Sequence, residues 1–209
     1  MRIRVTFNKT EAMRYTGHLD VQRAWERALR RANLPLSYSQ GFKPHPKINL
    51  AAPLPLGYTS IGEMIDIWLD EHFTLETLKS RISAALPPGL KITALSEGEI
   101  YGPKLPSLVE GAIYTITLIE NIRDLKARVD TFLSKDSIIR ERRKKNYDLR
   151  PLVHSLSIPI DNANQEQRLS VELSAKPGAT GRPDEVLYAL GLDPYDAKIE
   201  RTTLLLKDE

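Results

Sequence analysis

The sequence contains no cysteine among its 209 residues. This absence excludes a disulfide, a thiol nucleophile and a thiolate-ligated zinc site within the chain. It also excludes the usual iron–sulfur clusters, which are held by cysteine thiolates. The four histidines are scattered along the chain without metal-ligand spacing: His18, His45, His72 and His154. We therefore expect no metal and no cofactor in this chain, so that any redox or metal chemistry would belong to a partner.

Long apolar runs are also missing. No run approaches the roughly 20 residues that a membrane-spanning helix needs, and residues 1–7 alternate without the apolar centre of a signal peptide. We expect a cytoplasmic protein that does not bind membranes. An apolar fraction of 41% and a charged fraction of 27% are typical of globular proteins. The length suits one large domain or two small ones.

Charge is distributed unevenly around a net value of +3. Residues 1–57 contain ten lysines and arginines against three acidic residues, whereas residues 58–100 contain three against seven. Residues 138–150 contain six against two. Two basic clusters on a balanced chain indicate a surface for an anionic partner. The alternative is that both clusters are simply solvated faces.

Hydrophobic periodicity predicts much the same plan in both halves of the chain, with one extra strand in the second half. The first half has strand 2–7, helix 19–33 capped by Thr16, extended segment 48–54, strand 63–69, helix 74–86 and strand 90–96. The second half has strand 112–119, helix 121–134, strands 137–143, 152–160 and 169–175, helix 183–190 and strand 198–206. This order predicts an α+β fold of two tandem ferredoxin-like lobes with antiparallel sheets. The predicted domains are residues 1–98 and 111–209, joined by a linker at 99–110.

The segment 37–57 is the most informative part of the chain. Tyr38 and Phe42 lie on either side of Gly41, where aromatic rings can stack on bases. The alternative is that a ring anchors the loop in the core, and we expect one of the two to do so. In the following segment the prolines make each preceding residue extended, so that Lys43, His45 and Lys47 alternate with them and point the same way. Such an array can hold phosphate with little ordering cost.

Further cations extend the predicted RNA-binding set. The first helix carries several arginines, and the segment after residue 139 carries four consecutive cations. Arg182 follows a glycine-containing turn before a helix, where an anion could bind. The alternative is that this turn is simply flexible. The predicted RNA-binding residues are Arg23, Arg27, Arg30, Arg31, Tyr38, Phe42, Lys43, His45, Lys47, Arg142, Arg143, Lys144, Lys145, Arg150 and Arg182.

Two histidines are candidates for acid–base catalysis, and His18 could instead be a phosphate ligand. His18 begins the first helix, where the helix dipole favours anions and a neutral imidazole, and Asp20 is positioned to orient it. The alternative is that Asp20 caps the helix and His18 only packs. His45 is the second candidate because it lies in the basic loop.

These motifs resemble the bacterial radical-SAM-linked domain family, and the resemblance covers nearly the whole chain. It rests on Phe7-x-Lys9, Arg14-Tyr15, His18-Leu19-Asp20, Arg27-Ala28-x-Arg30-Arg31-Ala32, the segment from Tyr38 to Lys47, Arg142-Arg143-Lys144-Lys145, Arg150-Pro151-Leu152 and Arg182-Pro183-Asp184-Glu185-Val186. The sequence departs from the family's pattern at Gly17, where serine is expected, and at Lys43, where asparagine is usual. Members of that family have no characterised function and are typically fused to, or encoded beside, a radical SAM protein.

The resemblance implies a partner, and the residues imply RNA. We expect an RNA-binding adaptor that presents rRNA or tRNA to a radical SAM protein, which would carry the iron–sulfur cluster and S-adenosylmethionine. No preference for DNA is expected. One alternative is a metal-independent endoribonuclease or RNA-modifying enzyme that uses His18 or His45. Another is a protein-interaction module that does not bind RNA.

Overall fold

A computed structural model describes residues 1–142, 144–159 and 166–207. The chain divides into two compact units, Met1–Val109 and Glu110–Glu209. Both units contain helices and mostly antiparallel sheet, so the predicted α+β class is confirmed. Among the described residues, no helix is long and apolar enough to cross a membrane.

The first unit is a four-stranded antiparallel sheet with two main helices. Its elements are β1 (Arg2–Lys9), α1 (His18–Arg31), β2 (Ile48–Leu50), β3 (Thr59–Trp68), α2 (Leu75–Ala85), β4 (Leu90–Gly98) and α3 (Leu105–Leu108). The strand order is β2–β3–β1–β4, with antiparallel pairing throughout. In β1 the predicted alternation holds, because Ile3, Val5 and Phe7 are all fully buried.

The two main helices share one core with this sheet. Trp25 of α1 packs edge-to-face on Phe7 of β1, with ring centroids 4.9 Å apart. Leu78 and Ile82 of α2 are fully buried in the same cluster. A large aromatic pair and two leucine-sized side chains therefore fix both helices against the sheet.

Both ends of α1 differ from the sequence prediction. The helix begins at His18 with Gly17 at the N-cap position, so the predicted capping role of Thr16 is wrong. It ends at Arg31, and Asn33 follows with a positive φ of 50°. Asparagine tolerates this left-handed conformation better than most residues, and it turns the chain before Pro35.

The segment 99–110, predicted as a linker, packs against the first unit. Leu105 and Leu108 of α3 are buried. The guanidinium of Arg2 donates to the main-chain oxygens of Glu99 (2.9 Å) and Pro103 (2.7 Å). Glycine and proline in this segment therefore mark turns around a fixed path.

The second unit has a larger sheet and a separate hairpin. Its elements are β5 (Val109–Leu118), α4 (Leu125–Leu133), β6 (Ile139–Arg142), β7 (Lys145–Asp148), β8 (Val153–Ser157), β9 (Arg168–Lys176), β10 (Ala179–Thr180), α5 (Pro183–Ala189) and β11 (Ala197–Leu206). The order is β10–β9–β5–β11, and β8 also pairs with β9. Strands β6 and β7 pair with each other as a two-stranded sheet. The sequence prediction missed β7 and β10, and the end of its strand 152–160 lies outside the described residues.

Candidate nucleic-acid interface

Residues 37–47, called here the proline loop, form a short hairpin docked on the end of β3. The main chain of Ser37 donates to Trp68 O (2.9 Å), and Trp68 N donates to Lys47 O (3.1 Å). Across the loop, Lys47 N donates to Ser37 O and Ser39 N to His45 O, both at 2.8 Å. These bonds hold the base of the loop rigidly, while Gly41 takes a φ of 125° at its tip.

The aromatic and cationic side chains of the proline loop face solvent. Phe42 is fully exposed and Tyr38 is 42% exposed, so the expectation that one ring anchors the loop in the core is wrong. The anchor is the main chain together with Pro46, which is buried. Lys43, His45 and Lys47 are all exposed, as the alternation with proline requires.

The arginines of α1 form one exposed face. Residues 23, 27, 30 and 31 follow the i, i+4, i+7, i+8 spacing of a single helical stripe, and all four are exposed. Arg23 pairs with Asp20 (3.1 Å), and Arg31 donates to Ala85 O (2.6 Å). Within the described part of the chain, the guanidinium groups of Arg27 and Arg30 have no ion pair or hydrogen bond. Their charge is therefore available to a partner.

Four of the ten cations in residues 1–57 serve the fold instead. Arg2 and Arg4 both pair with the fully buried Asp66. Lys9 is 2% exposed, and its Nζ donates to the main-chain oxygens of Arg14 (3.1 Å) and Tyr58 (2.9 Å). Arg14 in turn donates to Gly57 O (2.8 Å). The charge count from sequence therefore overstates the positive charge that the first unit presents.

The second basic cluster lies on the β6–β7 hairpin. Arg142, Lys144 and Lys145 are exposed, and Arg142 lies directly opposite Lys145 in the ladder. Like charges in that position repel each other, and a bound anion would relieve the repulsion. Arg143 lies outside the described residues.

Two predicted binding arginines have structural partners. Arg150 donates to Lys135 O and Val153 O, both at 3.1 Å, and so fixes the base of the hairpin. Arg182 makes a bidentate pair with Asp184, with its shortest contact at 2.6 Å. Sequence patterns do not reveal these partners because the contacts depend on how the turns fold.

His18 lines a small pocket of about 10 Å³ in the first unit, together with Lys9 and Glu63, which is room for about one water molecule. Lys9 and Glu63 are both buried, and the sequence analysis did not single them out as site residues. The alternation of β1 was the available signal for Lys9, since position 9 follows 3, 5 and 7 on the inward face. His45 is not among the lining residues, so this pocket does not unite the two predicted catalytic histidines.

Asp20, predicted to orient His18, accepts a hydrogen bond from Arg23. Among the described residues, no group of three or more histidine or acidic side chains is arranged to hold a metal ion.

Comparison with known proteins places the chain in a family. The family described as "Uncharacterized protein conserved in bacteria (DUF2344)" matches residues 2–183. The chain belongs to this family. The DUF2344 match includes every predicted RNA-binding residue, from Arg23 to Arg182. No curated protein matches the sequence significantly.

Solved structures resemble the DUF2344 chain in fold. A chain of "Crystal Structure of a Cbf5-Nop10-Gar1 Complex" aligns with a TM-score of 0.51 at 12% identity, over 99% of this chain and 50% of that one. A chain of "Structure of H/ACA RNP bound to a substrate RNA containing 2'-deoxyuridine" gives a TM-score of 0.48 at 11% identity, over 99% and 49%. This protein spans about half the length of the solved chains that it matches.

Proposed function

We propose that this DUF2344 protein is a non-catalytic RNA-binding adaptor that presents an rRNA or tRNA substrate to a separate radical SAM enzyme. The observation that carries the proposal is the proline loop. It holds a fully exposed phenylalanine beside Lys43, His45 and Lys47 on a hydrogen-bonded frame. Arg27 and Arg30 of α1, which have no partner among the described residues, add positive charge in the same unit.

The chemistry of the loop suits RNA with unpaired bases. An aromatic side chain that stacks on a base contributes about 1–3 kcal/mol and does not depend strongly on sequence. Bases in a duplex are already stacked, so such contacts favour single-stranded segments and loops. Because the prolines and the main-chain bonds fix the loop before binding, little entropy is lost when phosphate contacts the lysines.

The radical SAM partner is supported by the family resemblance of the motifs and by the lack of cysteine. A chain without cysteine cannot hold the usual cluster, so a division of labour between substrate binding and radical chemistry is consistent with its composition.

We also infer that each unit is a ferredoxin-like sandwich. In the first unit the order β2–β3–β1–β4 fits the split βαβ plan, and in the second the corresponding order is β8–β9–β5–β11. The β6–β7 hairpin is then an insertion between α4 and β8. An experimental structure of the protein tests this topology.

Salt dependence is the first test of RNA binding. Structured RNA with unpaired loops should bind, and the affinity should fall steeply between low and physiological salt as counterions are released. Absent or salt-independent binding would leave the protein-interaction module as the remaining function.

The second test removes the loop lysines. Lys43→Ala combined with Lys47→Ala should weaken RNA binding while thermal unfolding stays nearly unchanged, because both side chains are exposed. A control with the same charge change is Lys79→Ala combined with Lys91→Ala, two exposed lysines of the same unit. If the loop variant melts early yet binds RNA normally per folded molecule, the loop is only a structural clamp.

A second candidate function is a metal-independent endoribonuclease or RNA-modifying enzyme. The placement of His18 beside Lys9 and Glu63 favours it, since such groups can move protons. An enzyme should turn over cellular RNA in EDTA, and His18→Ala or His45→Ala should cost about 10²-fold or more in rate. An adaptor should show no turnover alone and should stimulate its radical SAM partner.

A further inference from the structure

The β6–β7 hairpin of the second unit is held firmly at its base. Arg140 pairs with Glu185 of α5 (2.9 Å), and its guanidinium lies 5.7 Å from the centre of the Tyr188 ring. Asp148 Oδ1 accepts from Ile138 N (2.8 Å) and Arg150 N (3.0 Å). These contacts fix the orientation of the hairpin while its cationic tip remains exposed.

The tip carries an arrangement that costs stability. Arg142 and Lys145 face each other across the ladder, and Lys144 takes a φ of 63°. Like charges in register and a non-glycine residue in the left-handed region are both unfavourable. Such features often mark a binding site, where a ligand compensates for them.

A cleft lies between this hairpin and the turn that joins β9 to β10. Its volume is about 310 Å³, and it is lined by Arg142, Tyr147, Asp148 and Leu152 on one side and by residues 178–180 on the other. This size lies at the lower end of the range of small-ligand pockets, roughly 300–1,000 Å³. A Cβ placed on Gly178 would meet nothing within 4 Å, so the turn leaves room for a ligand close to the main chain.

The lining combines a cation, an aromatic ring and an apolar side chain with Asp148, whose Oδ1 already accepts two main-chain hydrogen bonds. The Arg142 guanidinium has no partner among the described residues, and it suits phosphate as a planar, bidentate donor. Burial, followed by the nearby Glu185, raises the pKa of Tyr147, so its hydroxyl stays protonated and can donate a hydrogen bond. The ring and Leu152 together offer a flat, partly apolar wall.

We propose that this cleft binds one nucleotide, with the phosphate at Arg142 and the base beside Tyr147. Nucleotides combine an anionic group with a planar, partly apolar one, and the cleft presents a complement to each. We assign the bound nucleotide to one residue of the RNA, which makes this part of the proposal depend on the proposed function. The proline loop and the cleft would then bind different nucleotides of the substrate.

The test titrates the intact protein with each of the four nucleoside 5′-monophosphates and, separately, with a structured RNA. Saturable mononucleotide binding is expected, and Arg142→Gln or Tyr147→Leu should weaken it about tenfold, as the loss of one aromatic or phosphate contact requires. Arg123→Gln, an exposed arginine of the same unit outside the cleft, is the matched control and should bind normally. Thermal unfolding shows whether each variant is folded.

The outcomes separate this proposal from the function proposed above. If Arg142→Gln binds mononucleotides as Arg123→Gln does, or if none binds at millimolar concentration, the cleft proposal is wrong even where RNA binding is intact. If mononucleotides bind in an Arg142-dependent way but RNA does not, the cleft is a site for a free nucleotide and the RNA function fails. Weakened binding of both ligands by Arg142→Gln supports the assignment to RNA.

Discussion

The first unit uses arginine in two opposite ways. Arg2 and Arg4 on β1 pair with Asp66, and Arg2 is 2% exposed. On α1, Arg27 and Arg30 are exposed, and their guanidinium groups have no partner among the described residues. Both sets fall in the region of strong positive charge, residues 1–57. Their surroundings, and not their chemistry, decide their roles.

The difference follows from solvation. A buried guanidinium must replace its lost water contacts, and Arg2 does so with the Asp66 carboxylate, two main-chain oxygens and the Trp68 ring 4.8 Å away. An exposed guanidinium stays hydrated, so having no partner within the fold costs little stability. It can then bind the phosphate of a ligand. Charge that stabilises the fold and charge that recruits a ligand can therefore be separated by mutation.

The largest effect is expected from breaking the buried cluster. Asp66→Ala leaves Arg2 buried without its carboxylate and should lower the free energy of unfolding by about 3–5 kcal/mol. Denaturant unfolding measures the loss. Asp20→Ala removes the exposed partner of Arg23 and should cost at most about 1 kcal/mol. Equal losses in the two variants would show that Asp66 has no special role.

The next effect concerns an exposed aromatic ring. Phe42→Ala should weaken binding of RNA with unpaired bases about 5- to 150-fold, the range for one lost stacking contact, and should leave unfolding unchanged. Phe42→Tyr keeps the ring and should bind almost normally. Binding to a fully paired duplex should change little in either variant. A similar loss for duplex and single strand would argue against base stacking.

A smaller effect separates the arginines of α1 by their partners. Arg27→Gln combined with Arg30→Gln should reduce the slope of log K against log salt by about 1.4–1.8, as two lost phosphate contacts predict. Arg23→Gln combined with Arg31→Gln removes the same charge, but these side chains already have partners in the fold. The slope of log K against log salt should therefore change less in this variant. Equal slopes would mean that α1 acts only through its total charge.

The sequence predicted correctly the helices and strands that have one face buried in the core and the other in solvent, because such elements show a regular hydrophobic period. Strand β1 and helices α1 and α2 are long enough for their inward residues to repeat, so their class and approximate bounds were correct. Strand β10 was missed because two residues are too few for a period to show, and β7 because its sequence Lys-Asn-Tyr-Asp has no apolar alternation. Their pairing depends on turns, which the sequence marks weakly.

The candidate site was predicted in composition but not in detail. The exposed cations of the proline loop follow from alternation with proline, a local rule. Whether Arg150 or Arg182 is available to RNA depends on partners that only the fold brings near, such as Lys135 O and Asp184. The pocket shared by Lys9 and Glu63 could not be predicted for the same reason, because the two residues are 54 positions apart in the sequence. Local patterns identify which side chains are exposed, whereas tertiary contacts decide which of them already have a partner within the fold.

The smallest expected effect concerns a carboxylate at the base of the β6–β7 hairpin. Hydrogen bonding from the Ile138 amide lowers the pKa of Asp148 below its ordinary value. A lowered pKa in the folded state means that Asp148 stabilises the fold above its unfolded pKa, near 3.9, and that this contribution disappears as the pH falls through the folded value. Asp148→Asn should therefore be less stable than wild type at neutral pH, and the difference in the free energy of unfolding should narrow in acid.

Denaturant unfolding at several pH values from 7 down to 2.5 measures this difference, with the exposed Asp136→Asn as control. A gap that is constant with pH would show that Asp148 acts through its shape and not through its charge, and the hairpin base would then resemble the neutral main-chain anchor of the proline loop more than the ionic cluster around Asp66.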